Sequence, residues 1–323
     1  MKKIIVTGGC GYIGSKLVPL LLQRGYVVKV IDKLDFYTNL TPHSNLVLEA
    51  KDVLDVCQED FNGYDCVVHL AGLSNDPMAN FSPKDNFIQN LAVSGLAAFY
   101  AKKAGIQKFI FASSCSVYGN SGKALCAEYI IPVATFPYGV SKIQTEGGLI
   151  DLADKDFRVT CLRQATVFGW APRMRTDLVV NTMTKTSILD RKIYLHDDSV
   201  YRPLIHIDDL CEVYLRTIES KFLPFIMNIS TKNYSLKEIS QEVKDAVYEK
   251  LGPVQIECKN MKDPRSYCVD NNLMISTLGS WKFKTIEQGV NELLTKTDVN
   301  DVDYWKNPDW VNLEMYKKNY RNA

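Results

Sequence analysis

A glycine-rich turn close to the first residue constrains the fold of this chain more than any other feature. The segment TGGCGYIG, Thr7 to Gly14, follows a short β-branched run and precedes an amphipathic stretch. It satisfies GxxGxxG through Gly8, Gly11 and Gly14, and GxGxxG when Gly9 is taken first. Glycines at these places permit a tight turn, close approach of the backbone to a pyrophosphate, and close packing of a helix on a strand. An ordinary turn can carry the same pattern, so its meaning depends on the residues around it.

An acidic residue follows at the expected place, the end of a second apolar run at 27–31. The carboxylate of Asp32 would accept hydrogen bonds from the adenosine ribose hydroxyls and would repel a 2′-phosphate. Lys33 could offset part of that repulsion, so the pattern favours NAD over NADP without excluding NADP. Asp52 and Val53 follow a third predicted strand, from which the adenine is within reach. A solvated loop residue is the alternative interpretation of Asp52.

The periodicity of the chain predicts an α/β protein. Short apolar strands are expected at 2–7, 27–31, 45–50, 66–71, 109–113 and 158–163, and helices at 12–24, 87–104 and from about 138. Alternation of this kind indicates a Rossmann-type, doubly wound parallel sheet with helices on both faces.

We expect an NAD-binding domain at 1–168 and a smaller, mainly substrate-binding domain at 169–323. Some segments of the second domain should return to the sheet, and helices are expected there at 236–249 and 286–294. The segment 298–323 receives no predicted role.

Composition narrows the function classes. The 323 residues carry a formal charge of +1, which argues against nucleic acid or an anionic membrane surface as a partner. No apolar run approaches the ~18 residues of a membrane helix, and the glycine turn leaves no room for a signal peptide before it. Nine scattered cysteines fit reduced thiols, and four histidines form no metal-binding pair. We therefore expect a cytoplasmic protein without a metal site.

A second group of residues has the chemistry of proton transfer. Tyr138 and Lys142 are four residues apart on a predicted helix, so both side chains can enter one pocket. A free phenol, with a pKa of about 10, is a poor base at neutral pH. A neighbouring ammonium and a nicotinamide cation would lower that pKa and let the phenol take and return a proton. Ser114 follows the fifth strand, at the sheet edge where α/β proteins place ligands.

Taken in this order, the glycine turn, Asp32, Ser114 and the Tyr138–Lys142 pair resemble the extended short-chain dehydrogenase/reductase family. The resemblance is to its nucleotide-sugar epimerase/dehydratase branch and covers nearly the whole chain. It implies NAD as cofactor, a nucleotide-diphosphate sugar as substrate and a homodimer formed by the helices at 87–104 and from 138. Ser114, Tyr138 and Lys142 are the expected catalytic residues.

Further segments extend the resemblance to binding residues. Val68-His69-Leu70-Ala71-Gly72 resembles the fourth-strand motif that lines the cofactor, and the segments 162–169, 172–181 and 201–209 resemble those around the sugar. Arg202 and Arg265 would clamp the substrate phosphates, although a surface salt bridge is the alternative for both. The expected cofactor contacts are Gly8, Gly11, Tyr12, Ile13, Gly14, Asp32, Lys33, Asp52, Val53, Leu70, Ala71, Gly72, Asn90, Tyr138 and Lys142. The expected substrate contacts are Ser74, Ser114, Thr166, Asn181, Arg202 and Arg265.

Departures from the family pattern narrow the reaction. Sugar 4,6-dehydratases of the family carry Asp-Glu after the catalytic hydroxyl residue, where this chain has Cys115-Ser116. Water elimination thus lacks its usual acid and base, and Cys115 is interpreted as a small buried residue. We expect a nucleotide-sugar 4-epimerase. The alternatives are a 4-dehydrogenase or 4-keto-sugar reductase with the same site, and a cofactor-sensing protein without activity.

Overall fold

A parallel sheet forms the centre of the protein. The computed structural model describes residues 2–259 and 261–321, so the parts of the two predicted domains at Met1, Asn260, Asn322 and Ala323 lie outside the described residues. The strands are β1 (Lys3–Thr7), β2 (Val27–Asp32), β3 (Leu46–Ala50), β4 (Cys66–His69), β5 (Lys108–Ser114), β6 (Asn120–Cys126), β7 (Arg158–Gln164), β8 (Thr166–Phe168), β9 (Lys192–Leu195), β10 (Tyr201–His206), β11 (Ile226–Ile229), β12 (Lys232–Ser235), β13 (Gln255–Cys258) and β14 (Ser266–Val269).

Helices cover both faces of this sheet and build most of the remaining structure. They are α1 (Gly14–Gln23), α2 (Asp76–Phe81), α3 (Pro83–Phe87), α4 (Val93–Lys103), α5 (Pro137–Leu152), α6 (Val179–Asp190), α7 (Ile207–Glu219), α8 (Leu236–Leu251), α9 (Asn272–Leu278), α10 (Ile286–Lys296), α11 (Val302–Lys306) and α12 (Asn312–Arg321).

The strand order of the main sheet is β11-β7-β5-β4-β1-β2-β3, and every neighbouring pair is parallel. Strand order reverses between β1 and β4, and open α/β sheets bind ligands at the carboxyl ends of the strands at such a point. The prediction of a Rossmann-type, doubly wound α/β fold is confirmed.

Burial explains why the strands are continuous apolar runs in the sequence. Ile4, Ile5 and Val6 on β1 are fully buried, because helices cover both faces of the sheet. The predicted strand limits differ from the observed ones by one or two residues. The largest difference is at β4, which ends at His69, two residues earlier than predicted.

The predicted helix at 87–104 departs from regular α geometry. Helix α3 ends at Phe87, a π-helical turn spans Ile88–Ala92, and α4 begins at Val93. The carbonyl of Asn90 accepts hydrogen bonds from Ser94 Oγ and Thr145 Oγ1, so side chains use an acceptor of the irregular turn. Single π turns of this kind occur frequently beside functional sites.

Residues after 168 contribute to several sheets. Strand β11 joins the main sheet beside β7, while β8, β10 and β12 form a three-stranded sheet. Strand β14 pairs with β6, and β13 pairs with β9. Within residues 2–259 and 261–321, no helix has both the length and the apolarity needed to cross a membrane.

Close packing at the glycine turn generates a first prediction. A Cβ atom on Gly14 would lie 2.5 Å from the Gly9 Cα, and backbone cannot move aside cheaply. We expect Gly14→Ala to lower the free energy of unfolding by about 1–3 kcal/mol through overpacking. Urea unfolding followed by circular dichroism measures the change.

Gly148 in α5 is the matched control, because a Cβ there would meet nothing within 4 Å. Gly148→Ala should stabilise the protein by about 0.5–1 kcal/mol through helix propensity. Equal stability of the two variants would contradict the close contact between Gly9 and Gly14.

Candidate active site

One large cavity opens at the carboxyl edge of the main sheet. Its volume is about 1290 Å³, and residues from both the 1–168 and 169–323 parts line it. Pockets for single drug-sized ligands are about 300–1,000 Å³, so this cavity can hold two ligands side by side. With two exceptions, Asn90 and Asn181, the cavity wall includes all the residues that the sequence predicts for the site.

The glycine turn forms one end of the cavity. Gly8, Gly11 and Gly14 line it together with Tyr12 and Ile13. No side chain caps the N-terminus of α1, and its first turn carries no acidic residue, so this end suits an anionic ligand. The Tyr12 hydroxyl donates to the Gly169 carbonyl at 2.6 Å and so ties this turn to the later part of the chain.

Asp32 is held in place by the backbone. Its Oδ2 accepts from the Cys10 N–H at 2.9 Å, and its Oδ1 accepts from the Leu34 N–H at 2.8 Å. Burial raises the pKa of this carboxyl group, although the two backbone hydrogen bonds oppose the shift. Lys33 forms ion pairs with Asp52 at 3.3 Å and with Asp35 at 3.9 Å, so acidic neighbours already balance its charge. Together with Val53, Asp52 lines the cavity rather than the open surface.

The segment after β4 forms the next part of the wall. Leu70, Ala71 and Gly72 all line the cavity. Asn90 does not: it is fully buried and its Nδ2 donates to Asn86 Oδ1 at 2.7 Å. Gly72 has a φ of +144°, and a Cβ there would collide with the Asn90 side chain. Asn90 thus lies behind Gly72 and does not line the cavity, so a direct cofactor contact by Asn90 stays a prediction.

Ser114, Tyr138 and Lys142 converge on the cavity. Ser114 ends β5, and its Oγ accepts from the backbone N–H and the hydroxyl of Ser116, at 3.2 and 2.9 Å. Lys142 is one turn along α5 from Tyr138, and its Nζ lies 5.7 Å from the centre of the phenol ring. The ammonium donates to the Ala112 carbonyl at 2.9 Å, which fixes its position next to β5.

Burial has the largest effect on the pKa values of Tyr138 and Lys142. Desolvation raises the pKa of Tyr138 to about 12, a hydrogen bond with Ser114 opposes the shift, and the charge of Asp76 adds to it. Desolvation also lowers the pKa of Lys142 to about 8, although the charge of Glu146 opposes that shift. The sequence predicts an acidified phenol. The structure shows the opposite direction for the pKa, because burial outweighs the hydrogen bond with Ser114.

A buried ionic network lies beneath the trio. Arg163 on β7 pairs with Glu146 on α5 at 2.7 Å, with both side chains almost completely buried. Glu146 also accepts from the Ser113 hydroxyl at 2.5 Å, and Arg163 donates to Tyr118 at 2.8 Å. Cys115 is buried as expected, and desolvation raises the pKa of its thiol.

Charged side chains surround the opposite end of the cavity. Arg202 and Arg265 both line it and both pair with Asp263, at 2.8 and 2.9 Å. Arg265 also pairs with Asp76 at 3.0 Å. Both arginines therefore form salt bridges, but these lie on the cavity wall.

Of the remaining residues predicted to contact the substrate, two line the cavity and one does not. Ser74 and Thr166 line the cavity. Asn181 is fully buried: its Oδ1 accepts from the Gly169 N–H at 3.0 Å, and its Nδ2 donates to the Arg175 carbonyl at 2.8 Å. The Asn181 side chain therefore binds the backbone of the segment 169–175 and does not line the cavity, so its substrate contact stays a prediction.

Sequence reasoning missed several residues of the wall. Asp76 follows β4, and the carboxyl edge of a strand is a signal that could have identified it. Arg173 and Arg175 also line the cavity; both lie in the segment 172–181, which resembles the family, but the sequence does not predict either of them as a site residue. A third group comes from the end of the chain, for which no sequence signal existed: Val311, Asn312, Leu313, Tyr316 and Asn319.

One cluster of possible metal ligands occurs among the described residues. Single atoms of His206, Asp208 and Glu292 lie within 4.8 Å of one another. Lys16 pairs with Asp208 at 2.8 Å, and Lys284 pairs with Glu292 at 3.5 Å, so ammonium groups already balance the carboxylates.

Comparisons with known proteins show which family the chain resembles over most of its length. The model of the NAD dependent epimerase/dehydratase family matches residues 4–230. The UDP-glucose 4-epimerase of Bacillus subtilis (strain 168) is 29% identical over 247 residues, 67% of this chain and 72% of that protein.

Solved structures share the fold. TunA, an NAD dependent NDP-hexosamine 5,6-dehydratase involved in tunicamycin biosynthesis, gives a TM-score of 0.84 at 22% identity, covering 94% of this chain and all (100%) of its own. The UDP-glucose 4-epimerase of Thermotoga maritima, solved with UDP-glucose, gives 0.77 at 24% identity, covering 98% and 99%.

The lowered pKa of Lys142 predicts a pH-dependent stability. Between pH 8 and 10 the unfolded chain, with a lysine pKa of about 10.4, binds more protons at this position than the folded chain, whose Lys142 has a pKa of about 8. Stability from this group is therefore low below pH 8 and increases as the pH rises. Relative to Lys142→Met, the wild-type free energy of unfolding should increase by about 1–3 kcal/mol from pH 7.5 to 10.

Urea titrations of both proteins at pH 7.5, 9 and 10 measure the difference. The comparison with Lys142→Met removes the contribution of other groups that titrate in this range. A difference that does not change with pH would show that Lys142 is well hydrated.

Proposed function

Because the chain belongs to the NAD-dependent epimerase/dehydratase family, we propose that it interconverts C4 epimers of a nucleotide-diphosphate sugar. The observation that carries this proposal is the convergence of Ser114, Tyr138 and Lys142 on a cavity that also contains the glycine turn and Asp32. The UDP-glucose 4-epimerases to which the chain is similar support the choice of reaction.

The cavity wall fits the cofactor. The uncapped N-terminus of α1 would bind the pyrophosphate, and Asp32 would accept hydrogen bonds from the adenosine ribose. Asp52 and Asp35 balance the charge of Lys33, and the Asp32 carboxylate would repel a 2′-phosphate, which favours NAD over NADP. When bound, NAD supplies a hydride acceptor and donor and a positive charge at its oxidised ring.

Ser114, Tyr138 and Lys142 would carry out the transfer of the hydroxyl proton. Tyr138 would take the C4 hydroxyl proton and later return it to the C4 oxygen, while Ser114 would hold that oxygen by a hydrogen bond. Lys142 would remain beside the phenol through its bond to the Ala112 carbonyl. Burial raises the pKa of the phenol, and the positive charge of an oxidised nicotinamide ring beside it would favour the phenolate.

The other end of the cavity would bind the substrate diphosphate. Guanidinium groups form paired hydrogen bonds with phosphate oxygens, and Arg202 and Arg265 lie together there. Ser74 and Thr166 would contact the sugar, and Asp76 would accept a hydrogen bond from one of its hydroxyls.

Two reactions compete with epimerisation at this site. A dehydrogenase would release the ketone and the reduced cofactor, and a reductase would run that step in reverse. Elimination of water, as in TunA, is a third reaction of the family, but Cys115-Ser116 offers no carboxyl group after Ser114.

We also propose a homodimer formed by α4 and α5. Phe99 on α4 is 49% exposed and Ile150 on α5 is 54% exposed, and a partner would cover both. Light scattering tests the dimer, and Phe99→Asp should produce monomers.

The nine cysteines are all free thiols, which supports a reducing compartment such as the cytoplasm.

Mass analysis tests the reaction. A thermal-shift screen of UDP-, GDP-, CDP- and dTDP-sugars first identifies the nucleotide, because binding to the folded state raises apparent stability. The purified protein is then incubated with the selected sugar, and the sugars are separated by chromatography before mass analysis. We expect a second, separable sugar of unchanged mass. A product lighter by two hydrogens would instead establish a dehydrogenase, and loss of water a dehydratase.

Removing the phenol hydroxyl tests the proton-transfer role. We expect Tyr138→Phe to reduce turnover by at least about 100-fold, the usual contribution of general acid–base catalysis, with unchanged affinity for NAD. Turnover is measured by coupled assay and NAD binding by calorimetry. Tyr129→Phe is the matched control, because that tyrosine is 86% exposed and does not line the cavity. Wild-type turnover in Tyr138→Phe would exclude this role.

A further inference from the structure

The C-terminal helix α12 lies across the cavity. Five residues of the segment 311–319 line its wall, although no function has been assigned to this part of the chain. Before α12, the tail is fixed to the body of the protein: Trp305 is fully buried, and the Trp310 carbonyl accepts from the Thr176 N–H at 2.8 Å.

The helix contacts both sides of the cavity. Near its start, Asn312 Nδ2 donates to Ser74 Oγ at 2.5 Å. One turn later, the Tyr316 hydroxyl donates to Asp85 Oδ2 at 2.6 Å. Near its end, Asn319 Nδ2 donates to the Asp35 carbonyl at 3.2 Å.

These contacts place α12 relative to the strands. Ser74 and Asp85 follow β4, whereas Asp35 follows β2 and lies three residues after Asp32. Because β4 and β2 flank β1 in the sheet, the helix spans the crevice in which a doubly wound fold binds a dinucleotide. We propose that residues 312–319 form a cap that holds NAD in its site between turnovers and must open for the cofactor to exchange.

The character of the contacts supports an opening cap. The hydrogen bonds from Asn312, Tyr316 and Asn319 to the 1–168 part are polar, and the Asn319–Asp35 bond is exposed to solvent. Solvent-exposed hydrogen bonds of this kind open locally at a lower free energy than those of the core. The buried Trp305 would remain in place as the attachment of the moving helix.

The proposal rests on the proposed function and deepens it. In an epimerase, the hydride removed from C4 in the first half of the reaction is returned to the same carbon in the second half. Escape of the reduced cofactor between these steps would leave a ketone that cannot be reduced. A dehydrogenase must instead exchange its cofactor in every cycle, so a cap of this kind suits an epimerase.

Release of NADH from the full-length protein tests the cap. The protein is loaded with NADH, mixed with excess NAD, and the loss of bound-NADH fluorescence is followed without any sugar. In the double variant Tyr316→Phe/Asn319→Ala we expect release to be about tenfold faster, since each substitution removes one hydrogen bond of the closed cap. The Tyr316 ring packs edge-on against Phe81 and is kept by the phenylalanine substitution.

Lys306→Ala is the matched control, because Lys306 is exposed in the same tail but does not line the cavity. It should release NADH at the wild-type rate. Thermal unfolding of the cofactor-free proteins provides the second measurement, and the double variant should have the wild-type midpoint. Wild-type NADH release in the double variant, or faster release accompanied by a lower midpoint of the cofactor-free protein, would overturn the proposal.

Because no sugar is present, this result does not depend on the reaction that the enzyme catalyses. If the cap is correct and the protein is an epimerase, the double variant should also lose activity during turnover and regain it when NAD is added. Fast NADH release without such turnover-dependent loss would support the cap and contradict epimerisation.

Discussion

The buried ion pair between Glu146 and Arg163 is the interaction on which the geometry of the site depends. It joins α5 to β7, and Glu146 also binds the Ser113 hydroxyl on β5, directly before Ser114. Lys142 lies one helical turn before Glu146, so the same bond that fixes the helix sets the position of the ammonium. Removing one partner of such a pair costs about 3–5 kcal/mol, because the other charge remains buried. The geometry of Ser114 and Lys142 therefore depends on the stability of the sheet–helix interface.

The Glu146–Arg163 pair also affects the protonation of Lys142. The negative charge of Glu146 opposes the desolvation of Lys142, which would otherwise be neutralised more completely by burial. For Tyr138 the hydrogen bond with Ser114 and the charge of Arg175 oppose the effect of burial, whereas the charge of Asp76 adds to it. The protein alone thus holds an ammonium of lowered pKa beside a phenol of raised pKa. Any positive charge that binds next to the phenol shifts it towards the base form.

The fold and much of the site were predictable because their signals are local. A glycine turn between a strand and a helix, an acid at the end of β2 and the Tyr138–Lys142 spacing each follow from short-range geometry. The position of Asn90 behind Gly72, in a π-helical turn, is not encoded by any local pattern of this kind. The pKa of Tyr138 depends on how completely the folded chain excludes water, which motif spacing does not encode. The position of the segment 311–319 depends on tertiary contacts, which no local sequence pattern indicates.

At the end of the cavity that contains Arg202 and Arg265, carboxylates already pair with both guanidinium groups. In the protein alone, Arg202 and Arg265 are satisfied by Asp263, and Arg265 also by Asp76. In the proposed complex, a substrate diphosphate would compete with these carboxylates, so its affinity would be the difference between two sets of charge-assisted bonds. A carboxylate that loses an arginine would then accept hydrogen bonds from water or from ligand hydroxyls. A sugar that offers hydroxyl groups to Asp76 would supply such donors directly.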